Sequence, residues 1–371
     1  MRMLHRCAPL KNRTMQTNSR IPLIDALKAV SCLFIVSHHL AFFGPMSDIA
    51  HPLIPGLIDW LYQNGRLAVQ AFFVMAGFLL AGKLAPNGVV LPMRPLQAVK
   101  QRFLRLAVPY WFALIAAIVF SATVIGTLTH YEVSTFPTLP QLLANIFMLQ
   151  DLVHQDALSA GVWYVAIDFQ LFTFSVLMLW ACGIAARRHA RLALLPPLAV
   201  LAVCMLSLFI LNRNDALDNI WLYFFGSYGL GMLGYWASKR PRGLLWLALL
   251  AVMVIAALLV EFRSRIALAG AIMLLLGLAR QYPAIGQRPV GSVLSYLGRI
   301  SYSIFLIHYP LCLLVNALFF IYFPQSAAMN VLGMLVALPV SVAGGALFFK
   351  YIENGALIRS IVAAPAMRAA P

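Results

Sequence analysis

Residues 21–43 read IPLIDALKAVSCLFIVSHHLAFF, an apolar run interrupted by four ionisable side chains: Asp25, Lys28, His38 and His39. An imidazole that stays neutral near pH 7 can take a proton from a hydroxyl. His39 is therefore a candidate catalytic residue. On a helix, Lys28 and His39 fall about 20° apart in azimuth and about 16 Å apart along the axis, so they share one face. His38 is turned roughly 80° off that face. Asp25 lies one turn below Lys28, within pairing reach. A plainer account has Asp25 and Lys28 neutralise each other, with Lys28 snorkelling and both histidines bonded to neighbouring backbone.

Three further places carry groups of the same kind. Asp168 stands within WYVAIDFQLF (163–172) and His308 within LGRISYSIFLIHYPL (297–311); either could orient a histidine or hold a hydroxyl. Arg102 and Arg105, in KQRFLRLAVPYW (100–111), are spaced i and i+3. Two guanidinium groups on one helical face suit phosphate, although cytoplasmic anchoring explains such arginines equally well. Gly77, in FFVMAGFLL (72–80), and Gly65 allow close helix approach, a packing role. The five cysteines form no C-x-x-C pair, and neither a disulfide nor a metal site is predicted.

The elements that must hold these groups follow from composition. Of 371 residues, 62% are hydrophobic and 10% charged, and the mean hydropathy is +0.87. A soluble domain carries far more charge, so the fold class is all-α, a polytopic integral membrane protein. Apolar runs near 23–43, 67–83, 106–127, 162–184, 192–211, 219–237, 243–260, 265–279, 300–322 and 329–349 predict about ten transmembrane helices. The segment 140–150 is too short to span and is expected at the interface. The expected organisation is a basic tail over 1–20, a ten-helix membrane domain over 21–353 and a short tail over 354–371.

Orientation follows from charge. The net charge of +16 would suggest nucleic acid for a soluble protein, but here it reports topology. With both termini cytoplasmic, every Lys and Arg falls on the inner side except Lys28 within the first helix and Arg66, Arg213, Arg263 and Arg265 outside. Asp48, Asp59, Glu132, Asp151, Asp156, Asp215, Asp218 and Glu261 all fall outside, leaving outer loops able to meet polar substrates.

Taken in order, these segments resemble acyltransferase family 3 of bacterial inner-membrane proteins. The family's Asp-Gly-Leu-Arg motif and the histidine that follows it correspond to Asp25, Ala26, Leu27, Lys28 and His39. Its Phe-Phe-x-x-x-Gly-Phe segment is matched by Phe72, Phe73, Gly77 and Phe78, and its Arg-x-x-Arg pair by Arg102 and Arg105. Residues 163–170 are similar to its Trp-x-Leu-x-x-Glu segment, with Asp168 in the acidic position, and 297–311 to its Leu-Gly…His-x-Pro segment.

The resemblance implies an O-acyltransferase that moves an acyl group, usually acetyl, from cytoplasmic acyl-CoA to a hydroxyl of a surface or lipid-linked glycan. In that reading His39, Asp168 and His308 are catalytic, while Lys28, Arg102 and Arg105 bind the donor; Asp25 and Gly77 are structural. No metal takes part. The expected partners are the lipid bilayer, acyl-CoA and a glycan acceptor, in the bacterial inner membrane. Relatives with an added extracytoplasmic domain use it in transfer; a chain ending in a short basic tail is expected to react within its membrane domain. The rival reading is a transporter of a lipid-linked or acylated intermediate that makes no bond.

Overall fold

The computed structural model describes residues 21–128 and 136–362. The expected basic tail over 1–20 and the last residues, 363–371, lie outside the described residues. No strand occurs among the described residues, and ten long helices follow one another: α1 (Pro22–Phe42), α2 (Ala68–Leu84), α3 (Pro95–Val124), α4 (Val162–Arg188), α5 (Leu195–Phe209), α6 (Trp221–Lys239), α7 (Gly243–Val260), α8 (Ser264–Gln281), α9 (Ser292–Tyr322) and α10 (Ala327–Phe348). Each overlaps one apolar run of the sequence. The segment 140–150 forms a short helix, Leu139–Ile146, whose last carbonyl accepts the indole N–H of Trp111 at 3.0 Å.

Nine helical segments among the described residues are long and apolar enough to cross a membrane, and α6 is not one of them. Its residues from Tyr223 to Ser238 are all buried. A helix wrapped in other helices needs no lipid-compatible surface, so tyrosine, serine and glycine are tolerated where a lipid-facing span would need aliphatic residues.

The glycines of α6 do structural work with α2. A side chain at Gly77 would strike the carbonyl of Tyr228, and one at Gly231 would strike the carbonyl of Val74. The two backbones therefore touch, which locks α2 and α6 in parallel. The helices α1 and α9 form a second parallel pair: the backbone of Asp25 meets Gly298, Cys32 donates to the Ser301 carbonyl, and Asn316 receives the N–H of Met46 just beyond α1. These two pairs, closed by α3 and α4, enclose the polar groups. The faces of α7 carrying Leu244, Leu249, Val252, Ile255 and Leu259 stay exposed, as a lipid-facing helix requires.

Candidate active site

Two polar groups form inside the bundle. The first joins α1 to α9 toward the acidic end of the helices. His39 Nδ1 lies 2.7 Å from His308 Nε2, and His308 Nδ1 lies 2.8 Å from the carbonyl of Phe305. A carbonyl only accepts, so His308 carries its proton on Nδ1 and presents the lone pair of Nε2. His39 must then donate from Nδ1, which leaves His39 Nε2 as a free basic nitrogen. The rings meet edge to edge and nearly coplanar, as an in-plane hydrogen bond requires, with centroids 5.0 Å apart and 8° between planes. His308 is fully buried and His39 is 8% exposed. Pro310, inside α9, supplies no N–H, so the carbonyl one turn earlier loses its helical partner close to this pair.

His39 lines a cavity of about 340 Å³. Around it stand Phe42 and Phe43 from the end of α1, Gln70 from α2, Trp163 from α4 and Phe305 from α9; Arg66, Asp151, Asp218, Asn219 and Arg265 line it as well. Asp151 and Asp218 come from loops. Burial, reinforced by the nearby Asp218 carboxylate, pushes the Asp151 carboxyl up to about 6. Arg265 is held by the Tyr223 hydroxyl and lies 3.9 Å from Asp215. Asp215 and Glu261 are in turn bridged by Arg263 at 2.6 and 2.7 Å, so ion pairs tie the outer loops together.

His38 lines the same cavity but is bonded differently from its neighbour. Its Nδ1 is 3.0 Å from the carbonyl of Leu61, and Gly65 leaves no room for a side chain against it. This is the backbone-bonded arrangement that the plainer account of the sequence gave to both histidines.

The second polar group lies nearer the basic end. Arg102 on α3 and Asp168 on α4 form an ion pair at 2.5 Å, with Asp168 almost fully buried. Arg102 also sits over the ring of Phe172, 5.4 Å from its centroid. Asp168 thus pairs with an arginine and touches neither histidine. Arg105, one turn along α3, is exposed and forms no ion pair among the described residues. Lys83, at the end of α2, lies within electrostatic reach of both arginines, and Glu353 within reach of Arg105 and Lys28. Glu353 accepts the Ser303 hydroxyl at 2.5 Å.

No ion pair joins Asp25 to Lys28 among the described residues, and Glu353 lies within electrostatic reach of Lys28. Asp25 instead meets α9 through its backbone at Gly298. Neither Lys83 nor Glu353 stood out in the sequence, since both sit at helix ends where charge is ordinary. Gln70 is a polar residue inside an apolar run, a visible signal, but an uncharged one. Among the described residues no group of three His, Cys, Asp or Glu is placed to hold a metal.

An aromatic layer separates the two groups. Tyr164 meets Phe72 at 5.7 Å, Phe73 at 5.0 Å and Phe305 at 5.2 Å between centroids. One turn of α4 carries Tyr164 to Asp168, and just under one turn of α9 carries Phe305 to His308. The axial gap between the groups is therefore about 10 Å, from the rise per residue of an α-helix.

Fold and site together define a multi-pass α-helical membrane protein with a paired imidazole on an internal cavity and a cationic cluster beneath it. Residues 21–350 match the family model described as an acyltransferase domain, and the chain belongs to acyltransferase family 3. It is an acyltransferase. No match was found among curated proteins or among solved structures.

Proposed function

We propose that this protein is an O-acyltransferase of the bacterial inner membrane that uses acyl-CoA, with acetyl-CoA the first choice, to esterify a hydroxyl of a surface or lipid-linked glycan. The observation that carries this reading is the carbonyl–His308–His39 chain, which leaves a basic nitrogen on a residue lining a cavity. His39 Nε2 takes the proton of the attacking hydroxyl, and His308 is the positioning residue that holds the ring and its tautomer.

The basic end is cytoplasmic in this reading, because positive residues favour that side. Lys28, Lys83 and Arg105 then meet the phosphates of coenzyme A. Arg102, committed to Asp168, fixes α3 against α4 and adds positive potential below the aromatic layer. The pantetheine arm, when extended, exceeds the two helical turns between the cationic cluster and the imidazole pair. The thioester must pass Phe72, Tyr164 and Phe305 to reach His39.

The acceptor enters from the acidic end. Carboxylates and an amide suit hydroxyl donors, and Trp163 offers an apolar face for a sugar ring, which supports a glycan. A cavity of this volume admits only part of a large ligand, so a polymer would present one terminal portion.

The test compares surface glycans by mass spectrometry in cells with the protein, without it, and with His39→Ala. A gain of about 42 Da in the first alone, the mass expected for one acetyl group, is the predicted outcome. Full acylation by a normally inserted His39→Ala protein would overturn the assignment of the base. Unchanged glycans, together with transport of an intermediate and no consumption of acyl-CoA, would favour the carrier reading.

A further inference from the structure

Gln70 lies on α2, is 5% exposed, and lines the same cavity as His39. Ser227 on α6 donates its hydroxyl to Gln70 Oε1 at 2.6 Å. This bond occupies the acceptor end of the amide and fixes the direction of its donor end. Gln70 Nε2 has no hydrogen-bond partner among the described residues, and it is not among the side-chain atoms sealed from all access. A nearly buried amide with its oxygen held and its N–H groups unused is a donor waiting for a ligand acceptor.

The chemistry assigned to His39 creates such an acceptor. When a hydroxyl attacks a thioester, the carbonyl oxygen becomes an oxyanion, and a fixed N–H aimed at it stabilises the transition state more than the ground state. Two other donors on the cavity are already engaged. Arg265 is held by Tyr223 and Asp215, and the Asn219 amide nitrogen faces the Asp151 carbonyl and His154 at 3.5 and 3.4 Å.

We propose that Gln70 is a catalytic residue, its Nε2 donating to the oxyanion formed during acyl transfer, with Ser227 as the positioning residue that keeps the amide turned inward. The inference rests on the proposed acyl-CoA chemistry at His39. In the step, the acceptor oxygen bonds to the carbonyl carbon while its proton passes to His39 Nε2. The carbonyl oxygen takes the negative charge against Gln70. Collapse breaks the carbon–sulfur bond, and His39 returns the proton to the departing thiolate, giving the ester and free coenzyme A.

The experiment uses membranes containing the full chain and their native acceptors, supplied with acetyl-, propionyl- or succinyl-CoA, and measures thiol release per folded protein. Gln70→Leu, and Gln70→Glu, which places a negative charge at the oxyanion position, are expected to lower kcat by about 10²–10³-fold with KM for acyl-CoA within about twofold. Ser227→Ala is expected to lose about tenfold in kcat, since the amide can then rotate. A purely structural Gln70 would reduce the amount of folded protein without this split between kcat and KM. Gln70→Leu keeping kcat within about threefold of wild type, while His39→Ala is inactive, would overturn the inference alone. Wild-type membranes releasing no thiol from any of the three donors would overturn both the acyl-CoA reading and the role of Gln70.

Discussion

The Arg102–Asp168 and His39–His308 contacts are both two-residue polar links between helices inside the bundle, at 2.5 and 2.7 Å, and they differ in what each leaves over. The ionic pair cancels its own charge. Its unused atoms, Arg102 Nε and Asp168 Oδ1, are sealed and unpartnered. The imidazole pair carries no net charge to cancel, and the Phe305 carbonyl fixes the order of its protons so that a basic nitrogen remains. Two full charges inside a bundle stay there only if each satisfies the other, so such a pair serves better to join helices than to react. Neutral imidazoles can be held in low dielectric at little cost and keep their lone pair for chemistry.

The comparison breaks most sharply at Asp168. Asp168→Asn leaves Arg102, 30% exposed, with no counter-charge, and unfolding in detergent should show a loss of about 1–3 kcal/mol, below the cost of halving a fully buried pair. The double variant Arg102→Met/Asp168→Leu should recover most of that stability. A single Asp168→Asn variant as stable as wild type would show that the pair does not join α3 to α4.

Arg105 sharpens the contrast within the basic end, because it is exposed and forms no ion pair among the described residues while Arg102 is committed. Arg105→Ala should raise KM for acyl-CoA about tenfold, equivalent to ~1.4 kcal/mol, with thermal stability unchanged. An unchanged KM would remove Arg105 from phosphate binding.

The smallest effect concerns Asp151, on the cavity's loop side. With its carboxyl raised to about 6, the native protein binds this proton more tightly than the unfolded chain does. Its stabilising contribution is therefore complete below the ordinary carboxylate range and is lost as pH rises through about 6. Asp151→Asn should flatten the pH dependence of the melting temperature across that window and leave the protein slightly more stable at pH 7. An unaltered slope would assign the dependence to other groups.

The histidine pair was only half legible in the sequence. His39 stood out because imidazole in an apolar run is unusual, and His308 for the same reason, but they are 269 residues apart and nothing local joins them. Asp168 was visible as an intramembrane carboxylate and Arg102 as half of an Arg-x-x-Arg pair, but they are 66 residues apart and nothing local joins them. The pairing expected between Asp25 and Lys28 rested on one-turn spacing, which brings two side chains within reach without deciding where either turns. Glu353 comes within electrostatic reach of Lys28 because α10 and the segment after it return the chain to the start of α1.

The sequence by itself determined the solvent of this protein and the number of its long helices, because burial of backbone polar groups in lipid forces each apolar run of about 20 residues into a helix. It also marked the imidazoles, since polar atoms in such runs are expensive. Only the tertiary structure decided which polar groups meet, which of two adjacent histidines pairs with a second imidazole, and that the least apolar helix lies at the centre. Those outcomes depend on helix rotation and register, set by close backbone fits such as Gly77 against Tyr228 and Gly231 against Val74 across α2 and α6, and Gly298 against Asp25 across α9 and α1. Such contacts form between segments far apart in the chain, where local spacing carries no information.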